Sequence, residues 1–139
     1  MRKTLTIVLA MLALAVPTAS AWAAASAAKK VIVAKKSFTG SVAQADQWGN
    51  VQVTIVVRKT TTIVGKKKAV KRHIDSITVP VFPDHTGRSQ YISQQALPIL
   101  VQEALKAQST HIYLVSGATY TSDGFGQSLQ AAIAMEKAW

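Results

Sequence analysis

Val51-Gln52-Val53-Thr54-Ile55-Val56-Val57-Arg58 sets β-branched apolar residues at every odd position against a mixed set at the even ones. Successive side chains of a strand point to opposite faces, so this strict period of two predicts a half-buried strand with its odd positions in a core. Ahead of it, residues 46–50 supply turn chemistry, and Phe38-Thr39-Gly40-Ser41-Val42 reads as a first short strand. Behind it, Thr60-Thr61-Thr62-Ile63-Val64 is β-branched throughout, and Gly65 permits a turn. Ile77, Val79 and Val81 then resume the alternation, with Pro80 and Pro83 ending regular pairing. The pattern predicts an antiparallel meander of three or four strands.

Helical signals follow the strands. Ser93-Gln94-Gln95-Ala96 is a candidate helix opening, and Pro98 fits the first turn of a helix over residues 99–106. Ile112 to Val115 reads as a short apolar strand. Phe125, Leu129 and Ile133 recur every four residues and predict a second helix ending near Trp139, with Thr121 or Ser122 as N-cap and Asp123 in its first turn. Strands first and helices afterwards give an α+β fold, a β-meander packed with two main helices, rather than a doubly wound sheet.

Composition narrows the chemistry. The 139 residues carry 16 Lys+Arg against 6 Asp+Glu, a formal net charge of +10, and no cysteine, which excludes disulfides, thiolate metal sites and cysteine nucleophiles. Arg2 and Lys3 precede the apolar run Leu5 to Val16, and small residues around Ala19-Ser20-Ala21 and Ala21-Trp22-Ala23 follow Pro17. Residues 1–25 therefore read as a secretory signal peptide, with an uncleaved anchor as the alternative; the run is about half the ~20 residues that span a bilayer. Loss of Arg2 and Lys3 would leave +8 on an exported chain of the bacterial cell envelope, periplasmic or extracellular. Residues 26–36, rich in Ala and Lys, read as a linker, and residues 37–139 as the single domain.

Ser116-Gly117-Ala118-Thr119-Tyr120-Thr121-Ser122 joins the predicted strand 112–115 to the last helix. Small residues allow close backbone approach, four Ser and Thr hydroxyls add donors, and the start of a helix offers unpaired N–H groups and a positive dipole end. That combination is a candidate phosphate cradle, and a plain N-cap is its simpler alternative.

The same stretch, continued as Asp123-Gly124-Phe125-Gly126-Gln127-Ser128-Leu129-Gln130, closely resembles the FMN-binding domain family. That family includes the flavin-carrying subunits of sodium- and proton-linked redox pumps and small exported flavoproteins. Phe38-Thr39-Gly40, Gly49-Asn50-Val51-Gln52-Val53, Arg88-Ser89, Ala96-Leu97-Pro98 and Ala107-Gln108-Ser109 look like family landmarks in the family's order. The resemblance implies FMN at the 116–122 loop, Thr119 as acceptor of a phosphoester made from FAD by a separate flavin transferase, and Ser116 and Thr121 as phosphate donors. Gly117 and Ala118 would leave room for the ribityl phosphate, and Tyr120 is the first candidate to stack on the ring, before Trp48, Tyr91 and Phe125. Covalently flavinylated members usually carry Asp three residues before the motif's Ser, where this chain has Tyr113, so covalent, noncovalent and absent flavin all stay open.

Arg88 lies in a loop that the resemblance places near the flavin, where it would pair with phosphate or anionic reduced flavin; pairing with Asp84 is the alternative. Arg58, Lys59, Lys66, Lys67, Lys68, Lys71 and Arg72 put seven basic residues into fifteen positions. They read first as a solvated edge that discourages strand pairing, and otherwise as a contact for anionic envelope polymers, lipid head groups or an acidic redox partner. Nucleic acid fits poorly, since no aromatic is interleaved among these charges. His73, His85 and His111 lack metal-ligand spacing. The sequence thus points to an exported redox carrier rather than a substrate-converting enzyme. The alternative is a non-redox binding module of the same fold that uses its basic hairpin.

Overall fold

The computed structural model describes residues 28–139. The signal-peptide reading of residues 1–25 lies outside them. In chain order the elements are β1 (Lys29–Thr39), β2 (Ala43–Gln44), a 3-10 turn (Asp46–Trp48), β3 (Asn50–Val64), β4 (Lys67–Val81), α1 (Gly87–Ala107) and α2 (Thr119–Lys137). β3 is central: β1 and β4 pair with it antiparallel over most of its length, and β2 adds two residue pairs at its start. The fold is α+β, an antiparallel sheet with two helices.

The odd positions of β3 do what their spacing predicts. Val51, Val53, Ile55 and Val57 are fully buried against Leu100 of α1 and Phe125, Leu129 and Ala132 of α2, while Gln52, Thr54 and Val56 between them are only half-buried. Each such side chain withdrawn from water contributes roughly 1.5–3 kcal/mol, so this one strip of β3 is the main energetic link between sheet and helices.

Three elements differ from the sequence expectation. Residues 29–36, read as linker, form the larger part of β1, because Val31-Ile32-Val33 finds the β-branched Thr60-Thr61-Thr62 as its register partners. α1 starts at Gly87, well before Ile99: Thr86 and Ser89 cap each other's backbone N–H groups at 3.0 Å each, and this start needs no acidic residue. Pro98 then sits inside the helix, where its missing bond to Gln94 falls on an exposed face that water can satisfy. Residues 112–115 are irregular rather than a strand; the Val115 N–H goes to Ser122 Oγ at 3.1 Å instead of to a neighbouring strand.

Two β4 irregularities are built from specific residues. Pairing slips between Gln52 and Thr54, where Pro80 falls in the gap and its absent N–H costs no ladder bond. It slips again between Val56 and Val57, leaving Asp75 as the extra residue. Beside that bulge the Gln108 amide closes a strand-like pair with Ile74, accepting its N–H at 2.7 Å and donating to its carbonyl at 3.1 Å. Gln108 itself ends α1 in the left-handed region (φ 53°), so one residue stops the helix and ties it to β4.

Strand and helix lengths do not match. β3 has 15 residues, roughly 45–50 Å, while α2 has 19, about 28 Å. α2 runs alongside β3 from Gly124, which approaches Val51, to Trp139, whose carbonyl accepts from Lys59 Nζ and whose ring lies under that ammonium at 4.8 Å. Glu136 meets Arg72, the register partner of Lys59, at 3.0 Å between Oε1 and Nε. The β3–β4 hairpin therefore continues five register steps, roughly 16 Å, beyond the helical cover. No helix among the described residues is long and apolar enough to cross a membrane.

Candidate functional site

At the end of the sheet where β3 begins and β4 finishes, three segments enclose a cavity of about 350 Å³. One wall is Trp48 with Pro83. A tight turn sets Trp48 there: Ala45 N–H donates to the Gly49 carbonyl at 2.7 Å, and Gly49 takes φ 128°, a conformation that favours glycine. The second wall is the first turn and a half of α1, contributing Arg88, Ser89 and Ile92. Residues 117–121 form the third.

Ser122 shapes that third wall without entering the cavity. Its buried hydroxyl donates to the Ala118 carbonyl at 2.8 Å and accepts the Val115 N–H at 3.1 Å, while Ala118 N–H bonds the Val115 carbonyl at 3.0 Å. The loop is thereby closed on itself, with Gly117 at φ 81° making the reversal. α2 starts at Thr119 rather than after the expected N-cap at Thr121 or Ser122; its N-cap is Ala118, and no side chain caps it. The first-turn N–H groups of Thr119, Tyr120 and Thr121 have no intrahelical acceptor and belong to residues that line the cavity.

The sequence candidates thus divide. Arg88, Gly117, Ala118, Thr119, Tyr120 and Thr121 line one cavity. Ser116 lines an adjoining hollow of about 240 Å³ with Tyr91, which shares Ile92, Gly117 and Ala118 with the first. Ser122 is occupied in the loop, and Phe125 is fully buried in the core, so neither faces a ligand there. Pro83 and Ile92 escaped the sequence reading; Ile92 follows Arg88 by one helical turn, and the Thr86/Ser89 cap is the signal that would have placed it.

The electrostatics of the cavity are simple. Arg88 is its one basic lining residue and no acid lines it. Asp84, the alternative partner for Arg88, lies instead 3.4 Å from His85 Nδ1, and no ion pair involves Arg88 among the described residues. The basic stretch around the β3–β4 turn is at the opposite end of the sheet, roughly 45 Å away, so the bulk of the net charge does not surround this cavity.

The residues present suit a ligand with an anionic end and a flat apolar one. The uncapped start of α2 and Arg88 line this cavity, and Trp48, Tyr120, Pro83 and Ile92 supply apolar surface in it. Thr119 is exposed, so its hydroxyl is accessible from solvent. Tyr113 is 84% exposed and lines neither hollow. Among the described residues no three His, Asp or Glu side chains stand together as metal ligands.

Residues 46–134, well over half of the chain, match the family model described as FMN-binding domain. No curated protein gives a significant match.

Proposed function

The chain belongs to the FMN-binding domain family and has FMN as its cofactor, and on that premise we propose that it is an exported electron-transfer flavoprotein whose FMN occupies the cavity between Trp48, Arg88 and Thr119. The observation that carries this reading is the convergence, in one cavity, of the uncapped start of α2, Arg88, and the rings of Trp48 and Tyr120.

Bound FMN supplies one- and two-electron redox chemistry that no side chain here can supply. The chain's own part is to bind and tune. The N–H groups of Thr119, Tyr120 and Thr121, with the Arg88 guanidinium, hold the phosphate; the helix dipole favours its negative charge. Trp48 and Tyr120 would offer aromatic faces to the ring, and Ile92 and Pro83 would keep water from part of it.

In the covalent form of this reading the Thr119 hydroxyl is the nucleophile. Its oxygen would take the FMN phosphoryl group of FAD, with AMP as the leaving group and a base of the transferase as the acceptor of the hydroxyl proton. Tyr113 stands where covalently flavinylated members usually carry Asp, on the open surface and outside the cavity. The exchange therefore leaves the lining of the cavity unchanged, and recognition by the transferase is the step at which it would act.

Intact mass and visible spectra of the exported protein, produced with and without a flavin transferase and compared with Thr119→Ala, test the reading. A yellow protein with an added FMN phosphoester mass that Thr119→Ala lacks supports the covalent form. Colour released on denaturation supports noncovalent binding. A colourless chain that also fails to take up added FMN rejects the electron-carrier reading.

A further inference from the structure

The end of the sheet remote from the cavity has a chemistry of its own. Lys29, Lys30, Lys66, Lys67, Lys68 and Lys71 are all exposed there, with no acidic residue among them. The nearest carboxylates are already engaged: Asp75 by Lys35 at 3.0 Å and Arg58 at 3.1 Å, Glu136 by Arg72. Between the lysines stand Val31, Ile32, Val64 and Val70, each 40–49% exposed. Protection of a strand edge needs charge alone, and the four branched apolar side chains, each about half exposed, add an apolar component to the same end.

Register distributes these residues evenly. Lys29, Val31, Val64, Lys67 and Lys71 fall on one face of the sheet, and Lys30, Ile32, Lys68 and Val70 on the other. Both faces carry the same mixture, so the end as a whole is the surface. A second copy is a poor occupant: antiparallel pairing of two β1 edges about Ile32 and Val33 sets Lys29 and Lys30 opposite Lys36 and Lys35. A soluble polyanion would meet the lysines and leave the valines in water. A lipid surface with anionic head groups meets both, the ammonium groups at phosphate level and the branched side chains and lysine stems at the acyl boundary.

We infer that the overhanging β3–β4 tip, with the start of β1, docks on an anionic lipid bilayer and holds the FMN cavity roughly 45 Å from it. This goes beyond electron carriage and stands whether or not that reading does.

Cosedimentation of the purified chain with phosphatidylcholine vesicles, with and without phosphatidylglycerol, is the test. Binding is expected only with phosphatidylglycerol, and Lys66→Gln/Lys67→Gln/Lys68→Gln weakens it on the order of 100-fold at moderate salt. A second variant, Val64→Ser/Val70→Ser, keeps every charge; it weakens vesicle binding but leaves binding to soluble polyphosphate unchanged. Far-ultraviolet circular dichroism checks that both variants remain folded. Equal binding to neutral vesicles, no binding to either, or vesicle binding indifferent to the valine substitutions overturns the inference, the last in favour of a soluble anionic polymer.

Discussion

The hydroxyl of Ser128 on α2 accepts the backbone N–H of Val53 at 2.8 Å, a helix side chain standing in for a strand. β1 ends at Thr39 and β2 begins at Ala43, so the sheet has a gap there, and the buried Val53 N–H would otherwise have no acceptor. Gly40 crosses the same gap: its N–H bonds the Val53 carbonyl at 2.8 Å, and a Cβ on it would stand 2.0 Å from the Ser128 carbonyl oxygen.

Ser128→Ala is therefore expected to lower stability by about 1–3 kcal/mol, the cost of a buried donor without a partner. Gly40→Ala forces two backbones apart and costs more. Urea midpoints of the two variants against the parent check both, and a Gly40→Ala protein as stable as the parent contradicts the close approach.

Arg88→Gln keeps a donor but removes the one cation lining the cavity proposed for FMN. A charge-assisted bond contributes about 1.5–3 kcal/mol, so FMN affinity should fall roughly 10- to 100-fold, and its dependence on salt should shrink. Titration of the protein with FMN at two salt concentrations measures both, and unchanged affinity means that Arg88 does not meet the phosphate.

Trp48→Leu removes an aromatic face from the cavity mouth while keeping apolar bulk. Affinity should drop by about 0.5–1.5 kcal/mol, and FMN fluorescence in the complex should rise as a stacking quencher is lost. If only Tyr120→Leu raises the fluorescence, the ring packs on the α2 side of the cavity.

Asp75 sits in the β4 bulge, and its hydrogen bond to Lys35 holds its carboxyl below the usual aspartate range, helped by the charges of Arg58, Lys35 and His73. A carboxyl depressed in the folded state contributes stability above its unfolded value, roughly pH 4, and loses it as pH falls through the lower folded value. The stability gap between the parent and Asp75→Asn should hold steady at neutral pH and close below roughly pH 4. A gap that persists in strong acid assigns the effect to packing instead.

The odd positions of β3 were legible because their burial is set by a single face. Val31-Ile32-Val33 in β1 was not, since it lies beyond the helices and has no buried face to impress an alternation on its neighbours. The start of α1 was hidden because Ser89 does the work usually signalled by an acidic residue, and exposed Pro98 resembled a helix start. In the site, the small-residue loop was visible from composition. The convergence of Trp48 with Thr119 depends on chain segments some seventy positions apart, and no local pattern encodes it. Ser122 shows the same limit in miniature: its type suggested a cap, and its fold neighbours turned it toward Val115.

The mismatch between a strand of 15 residues and a helix of 19 makes the hairpin a ruler. Adding two residues to each of β3 and β4 beyond Lys59 and Arg72 would keep every side chain on its face and move the tip outward by about 7 Å. Adding one to each would exchange the two faces of the tip, which carry nearly the same residues. The length of this segment can therefore drift in evolution or be set by design almost independently of the core, provided that the start of β1, which pairs with residues 60–64, lengthens with it.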